Sequence, residues 1–121
     1  MKVKIDTKEK FTVLTIEDRE LPANMTEELD EKLLLYLQEE VKNVILKFSN
    51  VEQIAVSTAE DIARIQQIYY DKESSFVICE LQKQVEEFLD KEELLEILNV
   101  VPTESEAWDM VQMEEIEREM F

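Results

Sequence analysis

The stretch Asn43-Val44-Ile45-Leu46-Lys47-Phe48 decides the fold class of this chain. It is a short apolar run with β-branched members that follows a helical pattern, which is typical of a strand buried on both faces of a sheet. Ser75-Phe76-Val77-Ile78-Cys79 repeats the pattern after a second helical stretch. Strands that alternate with helices in this way predict an α/β fold, in which right-handed crossovers pack helices against one mixed, mostly parallel sheet.

The residues before this stretch predict a hairpin and a helix. Segments 3–5 and 11–16 carry alternating and β-branched apolar residues on either side of a polar turn that contains no glycine, which predicts two paired strands. From Asn24 onward the apolar residues change to helical spacing. With Asn24 as the N-cap and Glu27 as the third helical residue, this spacing predicts a helix that runs to about Val41.

The residues after the predicted strand at 43–48 predict two more helical segments. Ser57-Thr58-Ala59-Glu60 has the spacing of a capping box, in which the hydroxyl and the carboxylate each accept a backbone N–H at the start of a helix. The apolar pattern that follows predicts a helix over about 58–71. A second helical pattern covers residues 85–98 and is interrupted near 90–93.

The last part of the chain predicts a minimal strand and an acidic helix. Val100-Val101 forms the strand, and Pro102 ends it because proline has no backbone donor. Thr103 and Glu106 form a third capping box, which opens a helix toward Met120. A stripe in this helix either packs back on the domain or offers its surface to a partner or a second copy; it consists of Met113, Ile116 and Met120. In total, we expect a five-stranded sheet and about four helices.

Composition excludes several classes of function. The chain has 121 residues, no glycine, no histidine and one cysteine, Cys79. Without glycine, a phosphate-binding glycine loop or a dinucleotide fingerprint is excluded, and without histidine a Ser-His-Asp triad or a His-ligated zinc site is excluded. We therefore expect no cofactor and no metal. A lone cysteine forms no internal disulfide, which favours a reducing, cytoplasmic compartment, and the length favours one domain over residues 1–121.

The formal charge is −17, which argues against nucleic acid and anionic membranes as partners because both are bound through clustered Lys and Arg. No apolar stretch approaches the roughly 20 residues that span a bilayer, so we expect no membrane insertion. Residues 81–121 carry 13 acidic and 3 basic side chains. Such a run is either a solvated helix face or a docking face for a basic partner.

Three segments of the chain resemble the STAS domain family, the fold of bacterial anti-sigma-factor antagonists. Glu20-Leu21-Pro22-Ala23, followed by Glu28-Leu29, resembles the Glu-Leu-Asp-Ala segment of the family and its following Glu-Leu. Residues 43–51 resemble the central strand, with Asn50 where glycine is usual. Residues 94–107 resemble the C-terminal strand and helix start. The resemblance covers about residues 11–111 and implies a STAS-like domain with a helical extension at 112–121.

The resemblance implies one modification site and one partner surface. In the family, the second serine of an Asp-Ser-Ser-Gly motif is phosphorylated by a partner kinase, and the phosphate breaks the complex. Ala55, Val56, Ser57 and Thr58 occupy the four positions, so Ser57 is the candidate phosphoacceptor. The residues alone favour Ser57 as a helix cap over Ser57 as a phosphoacceptor. The partner-binding residues implied by the resemblance are Pro22, Ala23, Asn24, Ser57, Thr58, Glu60 and Asp61.

These observations favour a non-enzymatic adaptor in a partner-switching regulatory assembly. Its partner is expected to be a protein with a basic docking face, such as an anti-sigma factor of kinase type. The first alternative is an accessory subunit of a transporter ATPase, which needs no phosphorylation. Two others are a homodimeric structural protein that uses the C-terminal helix, and an enzyme built on two facing carboxylates in a cleft.

Overall fold

The computed structural model describes residues 1–120. These residues form seven strands: β1 (Val3–Thr7), β2 (Phe11–Ile16), β3 (Glu20–Leu21), β4 (Asn43–Lys47), β5 (Gln53–Ile54), β6 (Phe76–Cys79) and β7 (Val100–Val101). They also form four α-helices: α1 (Thr26–Leu35), α2 (Val56–Asp71), α3 (Lys83–Lys91) and α4 (Glu104–Met120). Two short 3-10 helices, Ala23–Met25 and Tyr36–Gln38, flank α1. Phe121, the end of the expected helical extension, lies outside the described residues.

Five strands form the main sheet in the order β1-β2-β4-β6-β7. β1 and β2 form the predicted antiparallel hairpin, and the three other pairs are parallel. Each strand of the parallel part is reached through a helix, as the alternating pattern predicts. The predicted α/β fold, with a mixed and mostly parallel five-stranded sheet, is confirmed.

Different helices cover the two faces of the main sheet. α1, α2 and α3 pack on one face, and α4 packs on the other through Ala107 and Val111. Successive residues of a strand point to opposite faces, so one continuous apolar run supplies both cores. The strand residues that face α1 to α3 include Leu14, Leu46 and Ile78, and those that face α4 include Val13, Ile45 and Val77.

The first two helices begin at other residues than predicted, and the first also ends earlier, whereas α2 ends at Asp71 as predicted. Asn24 lies inside the 3-10 helix that precedes α1, and Met25 occupies the N-cap position, so the predicted Asn24 cap is wrong. α1 ends at Leu35 rather than near Val41, and one 3-10 turn follows it. α2 begins at Val56 with Ala55 as its N-cap. Ser57 is therefore the second residue of α2 and not its cap.

The hydroxyl half of the predicted capping box forms at the start of the last helix. The Thr103 hydroxyl accepts the backbone N–H of Glu106 at 3.1 Å, and it lies 3.4 Å from the Glu106 carboxylate. α3 ends at Lys91, which agrees with the interruption predicted near residues 90–93. The apolar residues that follow, including Leu94 and Leu98, enter the core from turns instead of a continued helix.

Two helices end in Schellman motifs that contain glutamate where glycine is usual. Glu73 follows α2 at φ 57° and Glu93 follows α3 at φ 60°. After α3, the Leu94 N–H donates to the Leu89 carbonyl at 2.8 Å and the Glu93 N–H donates to the Asp90 carbonyl at 3.0 Å. Leu89 and Leu94 are both buried, which supplies the apolar contact of the motif. The motif thus forms without glycine, at the cost of left-handed backbone strain.

Glu93→Gly is expected to raise the free energy of unfolding by about 0.5–1 kcal/mol. A left-handed L-residue costs roughly 1–2 kcal/mol, and part of the gain is offset by the greater freedom of glycine in the unfolded chain. Glu92→Gly is the matched control: Glu92 has φ −85°, so glycine is expected to destabilise there. Urea unfolding of both variants measures the difference, and a Glu93→Gly variant that is less stable than the parent contradicts the expectation.

Within residues 1–120, none of the helices is both long and apolar enough to cross a membrane.

Candidate functional site

A second, two-stranded sheet brings the two segments of the candidate site together. β3 pairs in parallel with β5, so that Glu20 lies beside Gln53 and Leu21 beside Ile54. The Ala55 N–H then donates to the Leu21 carbonyl at 3.0 Å. The chain leaves these paired strands into the segment 22–24 and into the start of α2. The predicted site residues of the two segments are therefore neighbours.

Thr58 links these two segments from below. Its side chain is fully buried, and its hydroxyl donates to the Pro22 carbonyl at 3.2 Å. The hydroxyl oxygen of Thr26, at the start of α1, lies 3.3 Å from the hydroxyl oxygen of Thr58. A buried side chain offers no surface to a partner, so the predicted partner role of Thr58 can rest only on its backbone. Thr58 instead positions the segments that remain on the surface.

Five of the predicted site residues are exposed and form one continuous surface, which we call the α2 surface: Pro22, Ala23, Asn24, Ser57 and Glu60. Ser57 lies in the first turn of α2, where the backbone hydrogen bonds begin with the Ala59 N–H donating to the Ala55 carbonyl. The N–H groups of residues 56–58 precede that bond and are free to meet an acceptor above the helix end. The first turn, 56–59, contains no acidic residue, because Glu60 and Asp61 lie in the second turn.

Asp61, the seventh predicted residue, faces sideways to α1 and is largely buried. Arg64 donates from Nε to Asp61 Oδ1 at 2.9 Å and from Nη2 to Asp30 Oδ2 at 2.8 Å. Burial and the neighbouring Asp61 raise the pKa of Asp30 from 3.8 to about 6, whereas Arg64 lowers it. Sequence reasoning missed Asp30 and Arg64. The three-residue spacing of Asp61 and Arg64 is a sequence signal for an ion pair within a helix. No sequence pattern indicates that Asp30 joins this pair.

This arrangement bears on the hypothesis of a carboxylate enzyme, which requires two acidic groups that face each other in a cleft. Asp30 and Asp61 do face each other, with 22% and 15% of their side chains exposed. One guanidinium holds both of them between α1 and α2, so their oxygens serve the helix interface.

The other chemical groups of interest are accounted for by packing. Cys79 is buried in the main sheet, and burial raises the pKa of its thiol to about 12, which keeps it protonated and unreactive. Trp108 packs on Phe11 with ring centroids 5.1 Å apart. The described residues contain no cluster of three or more Cys, Asp or Glu side chains suited to hold a metal ion.

The apolar stripe of α4 stays on the surface. Met113, Ile116 and Met120 are exposed to 59%, 57% and 72%. The opposite side of the helix carries Ala107 and Val111 against the main sheet. The alternative that this stripe packs back on the domain is therefore wrong. The stripe is exposed, as the alternative of a surface for a partner or a second copy requires.

Comparisons with known proteins agree with this fold. The family model of the STAS domain matches residues 2–107. A candidate anti-sigma-factor antagonist from Thermotoga maritima is 20% identical, with 91% of this chain and 94% of that chain covered and a TM-score of 0.80. The phosphorylated form of the Bacillus cell fate determinant SpoIIAA is 15% identical, with coverages of 91% and 99% and a TM-score of 0.64.

A third similar structure is much longer. The murine anion transporter Slc26a9 is 15% identical, with 86% of this chain but only 18% of that chain covered and a TM-score of 0.71. No curated protein matches the sequence. Identities this low establish the fold alone, whereas the family model covers most of the chain. The chain therefore belongs to the STAS domain family.

Proposed function

We propose that this chain is a non-enzymatic adaptor that binds a protein partner through the α2 surface, in a partner-switching regulatory assembly. Anti-sigma-factor antagonists are among its structural neighbours, which supports this type of role. The observation that carries the proposal is the position of Ser57: exposed, in the first turn of α2, and beside the exposed segment 22–24.

Phosphorylation of Ser57 is the proposed switch. A phosphoserine carries about −1.5 to −2 charges, and the first turn of a helix favours negative charge through its free N–H groups and its dipole. The first turn of α2 holds no acidic side chain that competes for this field. The related SpoIIAA has a phosphorylated form, which supports the idea that this fold tolerates a phosphate. Added charge at Ser57 would change the centre of the α2 surface.

The partner is proposed to present a basic face. The net charge of −17 and the exposed carboxylates at the starts of α1 and α2, such as Glu27, Glu28 and Glu60, favour such a face by charge complementarity. Complementary charge mainly raises the association rate and the selectivity, and salt screens it. Binding is therefore expected to weaken as salt is added.

The test of the switch uses the cognate kinase with ATP, followed by mass spectrometry. Phosphate is expected on Ser57, with no phosphate on the buried Thr58 and none on a Ser57→Ala variant. Binding of the partner is then compared between the parent, Ser57→Asp and the uncharged control Ser57→Asn. Loss of binding at least tenfold greater for Ser57→Asp than for Ser57→Asn is expected. An active kinase that leaves Ser57 unmodified would refute the switch.

The second candidate is an accessory or scaffold subunit, for example of a transporter, that works without phosphorylation. Two observations favour it. Ala55 and Val56 stand where the family motif has Asp and Ser, so only one residue of the motif is kept. The chain is also similar in fold to part of the murine anion transporter Slc26a9. Equal partner binding by Ser57→Asp and Ser57→Asn supports this candidate over the switch.

A homodimer is the third candidate, and the exposed stripe of α4 favours it. Met113, Ile116 and Met120 follow one another on the same side of the helix, and a dimer interface would remove them from water. Like charge opposes such a pairing, because the same helix also carries most of the acidic side chains of the C-terminal region.

A further inference from the structure

Two buried carboxyl oxygens between α1 and α2 have no hydrogen-bond donor among the described residues. Arg64 satisfies one oxygen of Asp30 and one of Asp61. The remaining oxygens, Asp30 Oδ1 and Asp61 Oδ2, are buried, and neither has a hydrogen-bond donor among the described residues. The two carboxyl groups are neighbours, because the same guanidinium donates to Asp61 at 2.9 Å and to Asp30 at 2.8 Å. Buried polar atoms in folded proteins are almost always satisfied, so this pair requires an explanation.

One proton resolves the arrangement. If one carboxyl is protonated, its O–H donates to the other carboxylate, and both orphaned oxygens gain a partner in one short, charge-assisted hydrogen bond. The charge also balances, because two carboxylates that share a proton carry −1 and Arg64 carries +1. Without the proton, two like charges share one cation at a partly buried site, which raises the proton affinity of the pair.

We propose that Asp30 and Asp61 share one proton and that this proton closes a pH-sensitive clamp between α1 and α2. The charged groups that face Asp30 are Asp61 and Arg64, both on α2. The clamp lies beside the second link between these helices, the contact of the Thr26 and Thr58 hydroxyls. Closing and opening the clamp therefore acts on the helix pair that supports the α2 surface.

The direction of the pH effect follows from the pKa of Asp30, which burial and Asp61 raise from 3.8 to about 6. A group whose pKa is raised on folding contributes stability that is fully present below its unfolded value, here about 3.8. That contribution is lost as the pH rises through the folded value of about 6. The clamp is thus closed at pH 5 and largely open at pH 7.5. A carboxylate whose pKa is lowered on folding, as in an ordinary ion pair, instead contributes stability that is lost as the pH falls.

The clamp also has a consequence for binding, and this part rests on the proposed function. The Asp30 and Asp61 pair lies between the two helices that support the α2 surface, so loss of the shared proton adds one negative charge near that surface. A basic partner is then expected to bind more tightly at pH 7.5 than at pH 5.5. The clamp itself is tested on the free protein, so its failure and the failure of the partner hypothesis are distinguishable.

The first measurement is an NMR titration of the side-chain carboxyl carbons of Asp30 and Asp61 in the free parent protein. A shared proton predicts that one transition of the pair falls between pH 5 and 7. The same transition is expected at both carboxyl carbons, because each senses the proton. If both groups finish their titration below pH 5, the proposal is overturned.

The second measurement compares urea unfolding at pH 5.5 and 7.5. The urea midpoint of the parent is expected to be lower at pH 7.5 than at pH 5.5. In Asp30→Asn the amide N–H donates to Asp61 at either pH, so the difference between the two midpoints is expected to be smaller. The matched control is Glu31→Gln, which removes an exposed carboxylate next to Asp30 and is expected to keep the fall of the parent. An Asp30→Asn variant that falls as much as Glu31→Gln contradicts the clamp.

Discussion

Asn43→Ala is expected to lower the free energy of unfolding by about 3–4 kcal/mol, because the side chain satisfies several buried groups at once. Asn43 is 5% exposed at the start of β4. Its amide donates to the Lys10 carbonyl at 2.9 Å and to the Glu115 carboxylate at 2.6 Å. Its carbonyl oxygen accepts the Ser75 N–H at 2.8 Å. The side chain therefore joins β2, β4, the start of β6 and α4.

The size of the effect comes from the groups that alanine leaves behind. The Ser75 N–H, in a residue that is 1% exposed, and the Ser74 hydroxyl, in a residue that is 5% exposed, would both lose a partner, and each such loss costs about 1–3 kcal/mol. Asn50→Ala is the matched control, because Asn50 is exposed and makes one long bond, 3.4 Å, to the Ile16 carbonyl. Urea unfolding followed by circular dichroism measures both variants. A loss for Asn43→Ala no larger than that for Asn50→Ala would show that this site is not a structural junction.

Trp108→Ala is expected to cost about 2–3 kcal/mol, less than the full cost of deleting a wholly buried tryptophan because part of the ring stays exposed. The ring packs on Phe11, and the Lys8 ammonium lies 5.7 Å from its centroid. The indole N–H donates to the Glu104 carboxylate at 3.1 Å. These contacts close the end of the core between α4 and the main sheet.

The control for Trp108 separates the aromatic contact from the hydrogen bond. Trp108→Phe keeps an aromatic contact with Phe11 and loses only the indole N–H and some area, so a loss of about 1 kcal/mol is expected. Since Trp108 is the only tryptophan, circular dichroism replaces fluorescence as the measurement. Equal losses for the alanine and phenylalanine variants would show that the ring contact contributes little.

The strands of the main sheet could be predicted because their signal is local. The runs at 44–46 and 76–79 are apolar and rich in β-branched residues, and a strand buried on both faces needs just such a run. Helix starts were predicted with mixed success from one and the same pattern. At Thr103 the expected bond from the Glu106 N–H to the capping hydroxyl forms. At Ser57 it does not, because Ala55 is fixed in an extended conformation by its bond to the Leu21 carbonyl and the helix starts two residues earlier than predicted.

The candidate site depends on contacts that no local pattern contains. β3 and β5 have two residues each, too few to show alternation, and they pair across more than thirty positions of the chain. The buried bond from Thr58 to Pro22 and the Asp30, Arg64 and Asp61 cluster likewise require two segments to be packed first. The neighbourhood of segments 22–24 and 57–61 came from the family resemblance, and the structure supplies its physical reason.

The two glutamates with left-handed backbone at the ends of α2 and α3 can each be replaced by glycine through one base change in the gene. In the standard code, each glutamate codon becomes a glycine codon through a single base change. Glu73 and Glu93 are therefore one nucleotide step from the residue that suits their backbone best. The chain nevertheless has glutamate at both positions, although glycine would be more stable there. This is typical of proteins whose stability is maintained just above the level that function requires and not at its maximum.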